Sequence, residues 1–124
     1  MNQKRPVNLD LATMKFPAMA IASLLHRISG IVLFLLLPFM LYCLGMSLSS
    51  PESFITLQTF VENAYCKLVL WAFTAALIYH LLAGIRHIMM DMGFGEELYQ
   101  GRLSAVWVIV LSIILTIFLG IWIW

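Results

Sequence analysis

Three long stretches without a charged side chain dominate the pattern of apolar and polar positions along this chain. They cover residues 28–51, 68–85 and 103–124, and short polar segments separate them. A helix rises about 1.5 Å per residue, so crossing a hydrocarbon core of roughly 30 Å takes about 20 residues. The second stretch reaches this length if Lys67 extends its amine to the membrane surface. The pattern therefore predicts three transmembrane helices, at about residues 20–47, 63–90 and 103–124.

Prolines, serines and glycines mark where these helices begin and end. Proline disfavours a helical residue before it, so Pro17 marks the entry to the first helix. The segment 47–51 closes that helix, and Gly93 and Gly95 interrupt the chain after the second helix. We expect one all-α membrane domain over residues 1–124 that forms part of a helical bundle.

The composition excludes most other classes of protein. The 124 residues are 63% hydrophobic and 10% charged, whereas a soluble domain is roughly 45–50% apolar and about 25% charged. Two cysteines are too few for a secreted disulfide scaffold, and the hydrophobicity excludes a disordered chain. The net charge of +1 offers no basic stripe for nucleic acid. An integral membrane protein remains, without room for an independent catalytic domain.

The basic residues cluster on one side of the predicted membrane. These are the lysines and arginines of the N-terminal flank and of the second loop: Lys4, Arg5, Lys15, Arg27, Arg86 and Arg102. The first loop has no base except Lys67 at its edge. Because basic flanks remain in the cytoplasm, we expect a cytoplasmic N-terminus and a C-terminus on the outer side.

Histidines carry the first candidate chemistry. His80 lies six residues before Arg86, which places it about 9 Å deeper along the helix. His87 and Gly84 share its helical face. A deep imidazole beside a bare glycine, with basic groups at the membrane surface, suits a haem. The alternative is that His80 only bonds a neighbouring helix and Gly84 only permits tight packing.

The second candidate lies at the start of the first helix. Ser23 and Arg27 are four residues apart, so a hydroxyl and a guanidinium share one face. Together they suit a quinone carbonyl. In the alternative, Arg27 anchors the helix at the membrane surface and Ser23 bonds its own helix. Because consecutive spans are antiparallel, we expect His26, Arg27, Arg86 and His87 to converge near the cytoplasmic surface.

Three segments resemble one known family. Residues 5–11 have the sequence R-P-V-N-L-D-L, residues 23–30 fit S-x-x-H-R-x-S-G, and residues 80–93 fit H-x-x-x-G-I-R-H-x-M-M-D-x-G. This order resembles the cytochrome b membrane-anchor subunits of succinate dehydrogenase. The resemblance covers essentially the whole chain, although the third helix carries no motif.

The resemblance implies specific site residues and partners. His80 would be an axial, metal-binding ligand of haem b, and Ser23 and Arg27 would contribute to a ubiquinone site. His26, Arg27 and His87 would lie near the haem propionates. A flavoprotein subunit would oxidise succinate and pass electrons to an iron–sulfur subunit. This chain would conduct the electrons onward from the iron–sulfur subunit without itself oxidising succinate.

The same resemblance implies a location and leaves alternatives. A second small anchor subunit would provide the other haem ligand, because His26 and His87 are expected nearer the surface than His80. The complex would lie in a bacterial inner membrane, with this chain's C-terminus in the periplasm. An anchor of a quinol:fumarate reductase, or a structural scaffold without cofactor, remains open. Asp91, Glu96 and Glu97 of the second loop either relay protons, dock a soluble subunit or are solvated charges.

Overall fold

Four helices make up the chain in the computed structural model, which describes Asp10 and residues 16–124. They are α1 (Ala18–Ser49), α2 (Pro51–Val61), α3 (Ala64–Asp91) and α4 (Leu98–Ile123). Helices α1, α3 and α4 are long and apolar enough to cross a membrane. The predicted all-α fold with three membrane-spanning helices is therefore confirmed. Most of the motif at residues 5–11, together with Lys4 and Lys15, falls outside the described residues.

The helix ends follow local chemistry. Helix α1 begins directly after Pro17, whose carbonyl accepts hydrogen bonds from the N–H groups of Ala20 (2.9 Å) and Ile21 (3.2 Å). Helix α4 begins at Leu98, five residues before the predicted start at residue 103. The prediction began the helix after Arg102, but a helix tolerates an arginine in its first turns when, as here, the side chain is exposed.

The short helix α2 was absent from the prediction, which took residues 47–51 only as the end of a span. Ser50 caps α2 reciprocally with Ser53, because each backbone N–H donates to the other residue's hydroxyl oxygen at 3.1 Å. Pro51 occupies the first turn, where no N–H is needed. Glu52 adds a carboxylate there, and hydrogen bonds from its own backbone N–H and from Ser50 lower its pKa.

The helices pack through small side chains. Helix α3 lies against both α1 and α4, and α1 also contacts α4. The buried residues of the described chain are mostly small, and none of the large side chains is fully buried. Those at the helix contacts include Ala22, Ala83, Ala105, Gly101 and Gly120. Small residues let helix backbones approach closely in a membrane, while the large apolar side chains face outward.

One aromatic side chain joins α3 to α4. The indole N–H of Trp71 donates to the carbonyl oxygen of Thr116 at 2.9 Å. A Cβ atom at Gly120 would lie 2.9 Å from the Trp71 Nε1 atom, closer than real side chains approach. Only glycine at position 120 therefore accommodates the ring without a shift.

The beginning of α1, the end of α3 and the beginning of α4 lie together, and we call this the histidine end. The Tyr79 hydroxyl donates to the Ala22 carbonyl at 2.8 Å, which joins α3 to α1. Gly101 of α4 lies against Met19 of α1, with its Cβ position 3.1 Å from the methionine Cε. Gly93 and Gly95 take positive φ angles of 87° and 75° in the turn after α3. This turn directs the chain from α3 back into α4.

Candidate functional site

Three imidazole rings pack together between α1 and α3 at the histidine end. The rings of His26 and His80 are stacked, with centroids 4.1 Å apart and planes at 16°. The ring of His87 lies 5.1 Å from that of His26, tilted by 57°. His80 and His87 therefore share one face of α3, as their spacing predicts. His26 is level with His80, which corrects the expectation that it lies nearer the surface.

A hydrogen-bond network holds the His80 ring in place. Its Nδ1 atom lies 3.0 Å from the Ser29 hydroxyl oxygen and 3.2 Å from the His26 carbonyl oxygen. The Ser29 hydroxyl itself donates to the same carbonyl at 2.7 Å. Ser29 is buried, with 6% of its surface exposed. One turn of α1 thus positions one ring of α3.

These contacts are compatible with a proton on the Nδ1 atom of His80. A carbonyl oxygen is only an acceptor, so the 3.2 Å contact with the His26 carbonyl is a hydrogen bond in the tautomer that carries its hydrogen on Nδ1. With Nδ1 protonated in the neutral ring, Nε2 keeps its lone pair. Nε2 forms no hydrogen bond within the described part of the chain, and it is not sealed from its surroundings. His80 therefore offers one imidazole nitrogen as a metal ligand, oriented by a hydrogen bond through the other.

Two glycines leave space around the rings. A Cβ atom at Gly30 of α1 would lie 3.2 Å from the His80 Cε1 atom, and one at Gly84 would lie 3.6 Å from the His26 Nε2 atom. The sequence pattern placed Gly84 beside His80. The structure instead pairs Gly84 with His26 and Gly30 with His80. Close packing of the rings against the helix backbones explains both glycines.

His26 contains an unsatisfied polar atom. Its Nε2 is buried and has no hydrogen-bond partner within residues 16–124. Such an atom is costly in a membrane interior and calls for a partner from outside the chain. Within the same residues, no set of three metal-ligating side chains converges to hold a bare metal ion. The unsatisfied nitrogen of His26 and the open nitrogen of His80 are therefore the imidazole atoms available to a bound group.

Ser23 and Arg27 lie on the surface of α1 near these rings. Ser29, Ser47 and Ser49 each donate to a carbonyl of the same helix three or four residues earlier. Ser23 is half-buried and forms no such bond with a described residue. The side chain of Arg27 is exposed. Both groups are therefore accessible at the surface of α1.

Arg86 does not join the histidines, contrary to the expected convergence. Its Nε donates to the Ser104 hydroxyl at 2.9 Å and its second terminal nitrogen to the Gly101 carbonyl at 3.0 Å. Both partners belong to α4. Arg86 directly precedes His87, and successive helical residues point in different directions. At the end of α3, the imidazoles of the helix therefore face α1, whereas the guanidinium of Arg86 faces α4.

Sequence reasoning missed two residues of this site, Ser29 and Gly30. Both belong to the S-x-x-H-R-x-S-G segment, but neither received a role. A signal was present, because a serine three residues after His26 reaches the His26 carbonyl within one helical turn. The contact with His80 joins residues 51 positions apart and needs the fold. Asp91 at the end of α3 and Glu96 and Glu97 in the segment that follows are exposed.

Comparison with known proteins agrees with this arrangement. The family model for the succinate dehydrogenase/fumarate reductase transmembrane subunit matches residues 1–119. The succinate dehydrogenase cytochrome b556 subunit of Coxiella burnetii is 51% identical over all of both chains. The subunit of the same name from Paracoccus denitrificans is 32% identical over 91% of this chain and 87% of its own. The cytochrome b560 subunit of Reclinomonas americana is 32% identical over 94% of this chain and 85% of its own.

The similarity runs through all three membrane-spanning helices, including α4, which carries no motif. The resemblance inferred from the three motifs is thereby confirmed. This chain belongs to the succinate dehydrogenase/fumarate reductase transmembrane subunits, as a cytochrome b membrane anchor of succinate dehydrogenase.

Proposed function

We propose that this chain holds haem b through His80 and conducts electrons from an iron–sulfur subunit to ubiquinone. The observation that carries this proposal is the hydrogen bonding of His80, whose Nδ1 lies 3.2 Å from the His26 carbonyl. A ring fixed in this way presents Nε2 as a ligand. The names of the similar cytochrome b556 subunits support a haem of the b type. Haem b, when bound, supplies a one-electron redox centre within the membrane.

The other two histidines and Arg27 are proposed to bind the haem propionates. His26 contributes a buried Nε2 that lacks a partner, and His87 lies 5.1 Å from it between ring centroids. Arg27 is exposed one residue further along α1 and supplies a fixed positive charge. Propionate carboxylates would accept hydrogen bonds from these groups and offset that charge.

The second axial ligand is proposed to come from another anchor subunit. The rings of His26 and His80 stack face to face with planes at 16°, so the two imidazoles would not hold one iron atom between them. His26 is level with His80, so its depth does not exclude it as the second iron ligand. The orientation of its ring disfavours that role. Two iron ligands found within residues 1–124 would contradict this assignment.

Ser23 and Arg27 are proposed to form this chain's part of the ubiquinone site. The hydroxyl of Ser23 would donate to a quinone carbonyl, and the charge of Arg27 would stabilise that oxygen as it gains electron density. Both groups lie at the surface of α1. Walls from the second anchor and the iron–sulfur subunit would therefore be needed to enclose the ligand and exclude water.

The complex is proposed to lie in a bacterial inner membrane with the histidine end at the cytoplasmic face. Four basic residues near the N-terminus support this orientation, as do Arg86 and Arg102, which lie in α3 and α4 on either side of the connecting turn. A flavoprotein subunit would oxidise succinate and the iron–sulfur subunit would deliver electrons at this face. The family also includes fumarate reductase subunits, and an anchor working in that direction would use the same residues.

The test is a spectrum of the purified complex with His80 changed to alanine. We expect the b-type reduced-minus-oxidised signal and the bound haem to be lost, because no other described nitrogen of the chain is oriented in the same way. Tyr79→Phe is the matched control, since it removes the bond to the Ala22 carbonyl but no proposed ligand. Full haem content in the His80→Ala complex would contradict the proposal, and a wild-type complex without haem would favour a structural scaffold.

A further inference from the structure

A cavity opens between the end of α3 and the beginning of α4, on the side of α3 away from the imidazole rings. Its volume is about 410 Å³, and most of its wall is apolar, including Met89, Met90 and Trp107. The polar side chains in the wall are Arg86, Gln100 and Ser104. The cavity is thus a mostly apolar cleft with a single charged side chain, near the end of α3.

The charge in this cleft is buried and uncompensated within the described chain. Only 7% of the surface of Arg86 is exposed. Its two hydrogen bonds go to the Ser104 hydroxyl and the Gly101 carbonyl, which are both neutral. A guanidinium has five N–H donors, so three remain without a partner among residues 16–124. The terminal nitrogen that forms no hydrogen bond is not sealed by protein atoms, because it is not among the buried unsatisfied groups.

An unpaired buried cation has few ways to lower its energy. Arginine keeps its proton at physiological pH, so it cannot lose its charge by deprotonation. A buried charge without a counter-charge is strongly unfavourable. An anion that accepts two N–H bonds in parallel offsets this cost most effectively, and phosphate has the matching geometry. The apolar wall beside Arg86 adds the requirement that the anion carry hydrocarbon.

We propose that this cavity binds an anionic phospholipid, with its phosphate on Arg86 and an acyl chain along Met89, Met90 and Trp107. Basic pockets between membrane helices near the cytoplasmic surface have the chemistry that anionic headgroups require. The site lies on the α3–α4 face, whereas the proposed haem and quinone residues lie on α1 or on the α1 face of α3. The proposal therefore stands independently of the proposed function.

The experiment measures lipid bound to the intact purified complex, for the wild type, Arg86→Gln and Arg102→Gln. Arg102 is the matched control because it is an exposed arginine on the same end of α4. Co-purified lipid is counted by mass spectrometry. The complex is then stripped of lipid and its melting temperature is followed on adding phosphatidylglycerol, phosphatidylcholine of equal chain length or inorganic phosphate.

We expect the Arg86→Gln complex to lose one anionic lipid that the wild type and Arg102→Gln retain. Phosphatidylglycerol should raise the melting temperature of those two complexes saturably, and phosphatidylcholine and inorganic phosphate should not. Equal lipid retention in all three complexes would overturn the proposal. So would equal protection by inorganic phosphate, or a partner-subunit carboxylate found on Arg86.

A second variant keeps the proposal testable if Arg86→Gln fails to assemble. Met90→Trp enlarges a wall residue of the cavity and leaves the guanidinium in place. We expect it to displace the bound anionic lipid while the complex still assembles. Retention of that lipid in the Met90→Trp complex would overturn the proposal.

Discussion

The Ser29 hydroxyl oxygen lies 3.0 Å from the Nδ1 atom of His80, across the interface between α1 and α3. This contact joins a residue without an obvious role in the sequence to the proposed haem ligand. When the imidazole nitrogen that does not bind the metal donates a hydrogen bond, the other nitrogen becomes a stronger electron donor to the metal. Ser29 is therefore a positioning residue whose loss is expected to change the electronic properties of the site.

We predict that Ser29→Ala raises the reduction potential of the haem. The ring keeps its weaker contact with the His26 carbonyl at 3.2 Å, so the effect is partial and corresponds to about 0.5–1.5 kcal/mol. A redox titration of the haem absorbance measures it. Ser29→Thr retains the hydroxyl and should restore a potential close to the wild type. A normal potential in Ser29→Ala would show that the contact does not tune the ligand.

Replacing Ser23 with alanine should weaken ubiquinone reduction about 2- to 10-fold, because one hydrogen bond to the ligand contributes about 0.5–1.5 kcal/mol. Succinate oxidation with a soluble artificial acceptor should be unchanged. Ser47→Ala, at the opposite end of α1, is the control, since its hydroxyl bonds only the Leu44 carbonyl. Unchanged quinone kinetics in an intact Ser23→Ala complex would place the site elsewhere.

Asp91 is the last residue of α3, one helical turn beyond His87. Its exposed carboxylate is expected to pass protons inward as the quinone is reduced. Asp91→Asn keeps the shape of the side chain, but its amide cannot carry a proton. The substitution should therefore slow quinone reduction and increase the solvent isotope effect. Glu96→Gln, in the following turn, is the comparison. Loss of the soluble subunits from Asp91→Asn membranes would indicate docking instead.

We predict that the contact between Trp71 and Gly120 contributes to the stability of the complex. Gly120→Ala places a Cβ 2.9 Å from Nε1 of Trp71, so α3 and α4 must separate or the ring must lose its bond to Thr116. We expect a loss of about 1–3 kcal/mol, seen as a lower melting temperature of the complex. Gly45→Ala is the control because nothing lies within 4 Å of its Cβ position. Equal melting temperatures would show that this contact is absent in the assembly.

The membrane helices could be predicted from the sequence because lipid imposes one strong rule, a run of apolar residues long enough to cross it. The shared face of His80 and His87 followed from helical spacing in the same way. Helix α2 was missed because its capping serines resemble an ordinary span end. The directions of Arg86 and Gly84 were misjudged because spacing fixes a face of one helix, and only packing decides which neighbour that face meets.

The scarcity of buried large side chains has a consequence for the life of the chain in the cell. A subunit whose bulky residues point outward gains little energy from folding on itself, so its stability resides in contacts with lipid and with other subunits. Chains made in excess of their partners would expose the unpaired polar groups of the histidine end within the membrane. We expect such chains to be degraded by membrane proteases. The amount of this subunit should therefore follow the supply of its partners and of haem rather than its own rate of synthesis.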